Sequence, residues 1–181
     1  MKVISGKYKG RNIIGFDLDG TRPTMDRVKE SLFAMIQDYI DNSIVLDLFS
    51  GSGNLGIEAM SNGASFCYFC DYNRKAIKVI ENNINTIGID NNKILNMDFL
   101  KCLEYLSNNN IKLDIIFLDP PYNTNYIEKS IKSITKYNLL NDNGLIICES
   151  DNLDKVVYTD EYNSIKNKKY GDKNIVILQK M

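Results

Sequence analysis

The stretch from Val45 to Glu58, Val-Leu-Asp-Leu-Phe-Ser-Gly-Ser-Gly-Asn-Leu-Gly-Ile-Glu, restricts the fold of this chain more than any other. A short apolar run, Ile44 to Phe49, carries a single acid near its end and leads into glycines at 51, 53 and 56. Leu55, Ile57, Ala59 and Met60 then follow at helical spacing, so the reading is strand, tight turn, helix. Glycine at 51 and 53 permits positive φ and close approach of a ligand to the backbone, while Gly56 lets the helix pack near the sheet. A nucleotide-like ligand is expected at that turn.

Two kinds of nucleotide compete for it. Gly51-x-Gly53-x-x-Gly56 satisfies the dinucleotide fingerprint, and Asp71 lies at a suitable distance to hold a ribose diol. Asp47 tilts the choice, because an ionised group before the turn repels a pyrophosphate and welcomes a cationic amino-acid moiety. Asp47-Leu-Phe-Ser-Gly-Ser-Gly resembles the first motif of the S-adenosylmethionine-dependent methyltransferases, whose cofactor carries an ammonium and a sulfonium.

Length and composition set the frame. With 181 residues, 44% hydrophobic and 25% charged, the chain can bury one α/β core with a small appendage. It contains no apolar run of about 18 residues, and Met1-Lys2-Val3-Ile4-Ser5-Gly6 lacks the apolar core of a signal peptide, so a cytoplasmic protein with no membrane partner is expected. Of four cysteines only Cys67 and Cys70 are suggestively spaced, but they fall in an apparent strand, where residues three apart face opposite sides. With no histidine in the chain, no metal is expected and a His-based triad is excluded.

The net charge of −1 argues against general polyanion binding, yet Lys2, Lys7, Lys9 and Arg11 stand in the first eleven residues without an acid, and Arg22, Arg27 and Lys29 follow. Such a local patch docks phosphates, and Lys7, Lys9, Arg11, Arg22 and Arg27 are the candidate nucleic-acid contacts; a solvated strand edge guarded by lysine is the competing reading. Gly6, Gly10 and Gly15 punctuate Lys2–Ile14, which reads as a small β-hairpin outside the main core, and a division into a 1–20 extension and a 21–181 domain follows. Pro23 holds Arg22 extended, Thr24 can cap a helix, and Val28, Leu32, Met35, Ile36 and Tyr39 form its apolar face.

From Ile44 onward strand and helix signals alternate, the pattern of a parallel sheet covered on both faces. Strands are expected at Phe66–Asp71, Lys93–Met97, Leu113–Leu118 and Gly144–Cys148, and helices around Ile77–Ile87, Leu103–Leu106 and Ile127–Tyr137. Asn73 can cap the first of these helices and Gly88 stop it. Asn163–Lys169 and Asn174–Gln179, around Tyr170-Gly171-Asp172-Lys173, read as an antiparallel edge pair. Asp47, Asp71, Asp98 and Asp119 then stand at the ends of successive parallel strands, apparently in register, and ligands bind outside those ends.

Asp119-Pro120-Pro121-Tyr122 has a chemistry of its own. An exocyclic base amine is a weak nucleophile because its lone pair is delocalised into the ring, so its two hydrogens must be held while the nitrogen becomes tetrahedral. The Asp119 carboxylate and the Pro120 carbonyl can take one hydrogen each, Pro121 stiffens the loop, and Tyr122 offers a ring on which a flipped base stacks. This tetrapeptide resembles the signature of amino-methyltransferases acting on adenine N6, cytosine N4 or guanine N2.

Together, Ile4-Ser-Gly-Lys-Tyr-Lys-Gly-Arg11, Arg22-Pro-Thr-Met-Asp-Arg-Val-Lys-Glu-Ser-Leu-Phe33, Leu46–Ala59, Phe117–Tyr122 and Tyr170-Gly-Asp172 resemble the bacterial 16S ribosomal RNA (guanine(966)-N2)-methyltransferase family over nearly the whole chain. The resemblance implies a Rossmann-like class I methyltransferase fold: a seven-stranded, mostly parallel α/β sheet with an antiparallel edge hairpin, plus a small N-terminal β-hairpin. It implies S-adenosyl-L-methionine as cofactor and, as partner, 16S rRNA within an assembled or partly assembled 30S subunit, with the enzyme acting as a monomer. Cofactor-binding positions carried over are Thr24, Asp47, Phe49, Ser50, Gly51, Ser52, Gly53, Asp71, Asp98 and Phe99, with Asp71 on the ribose and Asp98 on the adenine amine. Catalytic positions are Asp119, Pro120, Pro121 and Tyr122. Ser50, where alanine is common, and Tyr122, where phenylalanine often stands, depart from the pattern. Rival readings are an adenine-N6 methyltransferase of DNA or RNA, and a non-catalytic S-adenosylmethionine- or RNA-binding assembly factor.

Overall fold

The computed structural model describes residues 1–16 and 23–181. Its centre is a seven-stranded sheet in the order β3-β2-β1-β4-β5-β7-β6. The strands are β1 (Ile44–Asp47), β2 (Phe66–Asp71), β3 (Asn92–Asn96), β4 (Leu113–Leu118), β5 (Leu140–Ser150), β6 (Tyr162–Tyr170) and β7 (Lys173–Lys180). Strands β1 to β5 are parallel, and β7 runs antiparallel between β5 and β6. The helices are α1 (Pro23–Ile40), α2 (Asn54–Ser61), α3 (Arg74–Ile87), α4 (Phe99–Asn108) and α5 (Tyr126–Lys136). From β1 the chain winds outward through β2 to β3, then crosses to β4 on the other side of β1, so the strand order reverses between β1 and β4. A crevice opens at the carboxyl ends of strands at such a reversal.

The sheet separates two apolar layers. One joins α1, α2 and α3 to Val45, Cys67, Phe69 and Phe117; the other joins α4 and α5 to Leu46, Cys70, Ile116 and Leu118. Cys67 and Cys70 lie in opposite layers, and all four cysteines are buried free thiols. Among the described residues no group of histidine, cysteine and carboxylate side chains could hold a metal, and no helix is long and apolar enough to cross a membrane.

The local signals place most elements. The Asn73 side chain accepts from the Lys75 amide to start α3, and Gly88, at φ 84°, ends it. Tyr39 departs from the expected stripe of α1: it is 37% exposed, and Phe33 and Ile40 take the buried positions instead. Strand β3 begins and ends one residue earlier than expected, because Asp98 is taken up as the cap of α4. Strand β5 starts four residues before Gly144, its pairing with β4 jumping from Leu140 to Leu145 across an irregularity.

The N-terminal segment departs from the sequence reading. It makes one antiparallel bridge, Lys2 to Asn12, and Val3 and Ile13, each 2% exposed, join the α1–α3 layer instead of lying outside the core. Lys29, counted among the surface cations, is 3% exposed: its Nζ lies 2.9 Å from Glu58 Oε2 on α2 and also donates to the Lys2 carbonyl and Asn54 Oδ1. Glu58 in turn accepts from the Ile4 and Ser5 amides and the Ser5 hydroxyl. A buried pair with every remaining donor and acceptor satisfied can offset its desolvation. The arm is therefore bound by charge to both helices; the boundary between a 1–20 extension and a 21–181 domain falls in residues that are not described.

Removing one partner strands the other charge in the core. Lys29→Met should lower unfolding free energy by about 3–5 kcal/mol, whereas Lys9→Ala, on the exposed tip of the arm, should stay within about 0.5 kcal/mol; urea titration of both variants measures the difference.

Candidate functional site

The turn after β1 is built around two carboxylates. Gly51 and Gly53 adopt φ 56° and 80°, and space is open where a Gly51 side chain would project. At Gly56 a Cβ would sit 2.3 Å from Phe69, so the glycine is what brings α2 against β2. The Gly56 amide donates to Asp47 Oδ2 and the Gly51 amide to Asp71 Oδ2, while Asp71 Oδ1 accepts from the Asn73 amide. Ser50 closes the turn by donating to the Asp47 carbonyl and accepting from the Cys70 amide. The Ser52 carbonyl accepts from Asn83, a fully buried side chain on α3 that also pairs both ways with the backbone of Ile14.

The four strand-end aspartates are brought to one edge but not into one row. Asp47 pairs across to Phe69 and Phe117, so Asp71 and Asp119 lie two residues farther along; Asp71 faces Asn96, with Asp98 two farther again. The even offsets keep them on the same side of the pleat, as a staircase rising from β1. Asp47 is buried, whereas Asp71 and Asp119 are half-buried and Asp98 exposed. Asp98 Oδ1 caps α4 through the Leu100 amide and leaves its other oxygen outward. Burial pushes Asp47 up to about 7 against the Gly56 hydrogen bond, with Asp71 adding repulsion. The fixed negative charge assumed before the turn is therefore partly neutralised in the free protein, because the group has lost its water.

An aromatic cluster floors the cleft between the turn and the Asp119 loop. Phe49 and Phe99 have ring centroids 5.2 Å apart, and Tyr126, which the sequence reading left out, lies 4.7 Å from Phe99 and 6.1 Å from Phe49. Tyr72, next to Asp71, is 72% exposed. On the far side, Asp119 follows β4, Pro120 is buried and Tyr122 is 47% exposed; the next residues, from Asn123 to Tyr126, border an open cleft of about 640 Å³ together with Glu128 and Lys155. Burial, then Glu149, push Asp119 up to about 8, with Lys173 opposing and Asp47 adding a smaller repulsion. Glu149, on β5, and Lys173, opening β7, form an ion pair beside Tyr122. Neither was found from the sequence, since they meet only across the antiparallel pairing of β5 with β7; the Tyr170-Gly-Asp172 motif was the one signal beside Lys173.

The candidate RNA contacts divide. Arg27 is exposed near the amino end of α1, which faces the cleft edge because α1 leads down to the start of β1. Lys7, Lys9 and Arg11 are exposed, but the tip they form binds the carboxyl ends of α2 and α3, through Lys7 N to Ser61 O and an Arg11 guanidinium bond to Thr86 O. That is the end of these helices away from the glycine turn, about 12 Å along α2. Arg22 lies outside the described residues, and Thr24 lies in the first turn of α1 with its side chain likewise outside them.

The chain matches the family described as Conserved hypothetical protein 95 over residues 1–179. It is 40% identical to YlbH of Bacillus subtilis over 152 residues, 83% of each chain. It is 32% identical to the ribosomal RNA small subunit methyltransferase D of Haemophilus influenzae over 176 residues, covering 94% of this chain and 89% of that one. The solved structure of yhhF from Escherichia coli superposes with a TM-score of 0.88 at 27% identity, covering 99% of this chain and 97% of that one.

Two acids with raised pKa make the ligand-free fold lose stability as pH rises from acid toward neutrality. A carboxyl held protonated in the native state and ionised in the unfolded one stabilises the fold below its native pKa, and this contribution fades as pH climbs from the unfolded value toward the native one. For Asp47 that window runs from about 4 to about 7. Melting temperature followed over this range should fall less steeply in Asp47→Asn than in the parent; parallel curves would show that Asp47 titrates normally.

Proposed function

This chain belongs to the Conserved hypothetical protein 95 family, together with the ribosomal RNA small subunit methyltransferases D, and on that premise we propose that it methylates the N2 amine of a guanine in 16S rRNA. The fold is the α/β Rossmann-like class I methyltransferase fold, and the cofactor is S-adenosyl-L-methionine. The observation that carries the reading is the placement of Asp119-Pro120-Pro121-Tyr122 across the strand-order reversal from the glycine turn, so that an amine acceptor and a cofactor seat share one crevice.

The residues present fit that cofactor. Open space at Gly51 admits an amino-acid tail against the turn backbone of residues 51–53. Asp71, its rotamer fixed by two backbone amides, keeps lone pairs for a ribose diol. The outward oxygen of Asp98 suits an adenine amine, beside Phe99 and Phe49. Arg27 stands on the helix that borders the mouth and engages RNA there, and Thr24 and Arg22 keep the cofactor and RNA roles of the sequence reading; Lys7, Lys9 and Arg11 engage RNA farther out. When bound, the cofactor supplies a methyl group on a sulfonium.

The chain's own residues do the remaining work. Tyr122 stacks a flipped guanine, and Asp119 with the Pro120 carbonyl holds the two N2 hydrogens so that the lone pair is freed toward the methyl carbon. On gaining the methyl group the nitrogen would have a proton to shed. Asp119, pushed up to about 8 by burial, is basic enough to receive it, which suits a chain without histidine. Guanine 966 in the small subunit is the proposed target. The protein works in the cytoplasm as a monomer, without a metal.

Methylation of 30S subunits and of naked 16S rRNA with labelled cofactor, followed by nucleoside digestion, tests this. Label should be recovered as N2-methylguanosine; label in N6-methyladenosine would overturn the choice of base. Asp119→Asn should lower kcat by about a hundredfold while leaving cofactor affinity nearly unchanged, and Tyr122→Phe should retain activity that Tyr122→Ala loses.

A further inference from the structure

The Tyr170-Gly171-Asp172 turn has no part in the reaction just described, yet it is fastened from outside the sheet. The Tyr170 hydroxyl lies 2.5 Å from Ser31 Oγ on α1, Lys168 Nζ donates to the same oxygen at 3.2 Å, and Gly171 takes φ 59°. The turn thereby delivers Lys173 at the head of β7, where its Nζ pairs with Glu149 Oε1 and stands 5.4 Å from the centroid of the Tyr122 ring. The Tyr122 hydroxyl is 3.5 Å from the same Glu149 oxygen. Glu149 retains only 14% side-chain exposure and Lys173 32%, so this contact is shielded from solvent on most sides.

The groups acting on Asp119 are Glu149 from β5, Lys173 from β7, Asp47 from β1 and the Tyr122 phenol of its own loop. Among these only Lys173 is cationic. We propose that Lys173 is a positioning residue for methyl transfer: anchored on Glu149, it holds the Tyr122 ring as a platform and supplies a positive charge that favours the hydrogen-accepting carboxylate form of Asp119. This rests on the proposed function for its substrate, and on geometry for its placement: Leu118 pairs with Cys148, so Asp119 and Glu149 follow side by side on neighbouring strands, with Lys173 on Glu149 and over the Tyr122 ring. Although burial works against a charged lysine here, Glu149 holds Lys173 above the ordinary lysine range, so the ammonium persists across the working pH.

The two members of the pair act on Asp119 with opposite sign. Loss of the lysine charge removes what holds the Asp119 pKa down to about 8; loss of the Glu149 charge removes what pushes it up. In Lys173→Met the acid limb of the kcat profile should move to higher pH by about one unit, which at the foot of the limb is about a tenfold loss. Lys173→Arg should keep the limb in place, and Glu149→Gln should move it to lower pH. Affinity for S-adenosylhomocysteine should change less than about twofold in all three. A structural prop alone would reduce kcat in every variant without moving the limb.

Titration of carboxyl-labelled aspartate by NMR on the ligand-free chain, with the Asp119 signal assigned through Asp119→Asn, gives the same readout without substrate. Midpoints displaced upward in Lys173→Met and downward in Glu149→Gln support the proposal even if no guanine proves to be methylated, in which case the function alone is wrong. Midpoints unmoved in folded Lys173→Met and Glu149→Gln overturn it whatever the substrate.

Discussion

A strand buried on both faces must end somewhere, and the amides of its turn then need partners. At the end of β1 two of those partners are carboxylates: Asp47 takes the Gly56 amide and Asp71 the Gly51 amide. These two bonds hold the turn open in the conformation that glycines 51 and 53 permit, and they tie α2, β1 and β2 into one corner. Because the strand order reverses beside this corner, the loop after β4 faces the same crevice, and cofactor seat and amine acceptor become neighbours. The arrangement depends on Gly56, since any side chain there would lift α2 off Phe69.

The crevice collects acids, and the fold manages them unequally. Asp71 and Asp98 each accept a hydrogen bond from a backbone amide. Asp47 and Asp119 are instead held near neutrality by burial, at about 7 and about 8. A crevice of this kind suits a ligand bearing positive charge, whose arrival supplies what the protein withholds. Lys173 is a cation that the described residues do provide, and it sits on the side where the base, rather than the cofactor, is expected. Lys29 provides no charge to the cleft: Glu58 and two other acceptors absorb it within the core, where it fastens the arm to α1 and α2.

Much of this could be read from residue order. The strand, glycine turn and helix at 45–58 are local events, set by apolar period and by positions where only glycine is comfortable. The Asn73 cap, the Gly88 stop and the antiparallel pair around Tyr170-Gly171 are likewise local. The parallel sheet followed from alternation of elements, because only crossovers covering both faces bury such strands. The placement of a carboxylate at each strand end was legible for the same reason. It follows from the chain's own periodicity together with the rule that ligands bind outside those ends.

What tertiary structure alone decided concerns partners distant in sequence. Whether Lys29 is a surface cation or a buried one depends on Glu58 arriving opposite it, and a helical wheel shows only one helix. The stagger of the aspartates depends on register between strands, and the distance of Lys7, Lys9 and Arg11 from the cleft depends on where the arm docks on α2 and α3. Glu149 and Lys173 meet Tyr122 through pairing of β5 with β7, a relation with no periodic trace in the chain. Local propensity is written in neighbours along the backbone, whereas charge state and proximity are set by solvent exclusion and by whatever the fold places alongside. So the sequence by itself determined the kind of sheet and the location of its ligand edge, and the tertiary structure decided which charged groups on that edge are paired, buried or free to act.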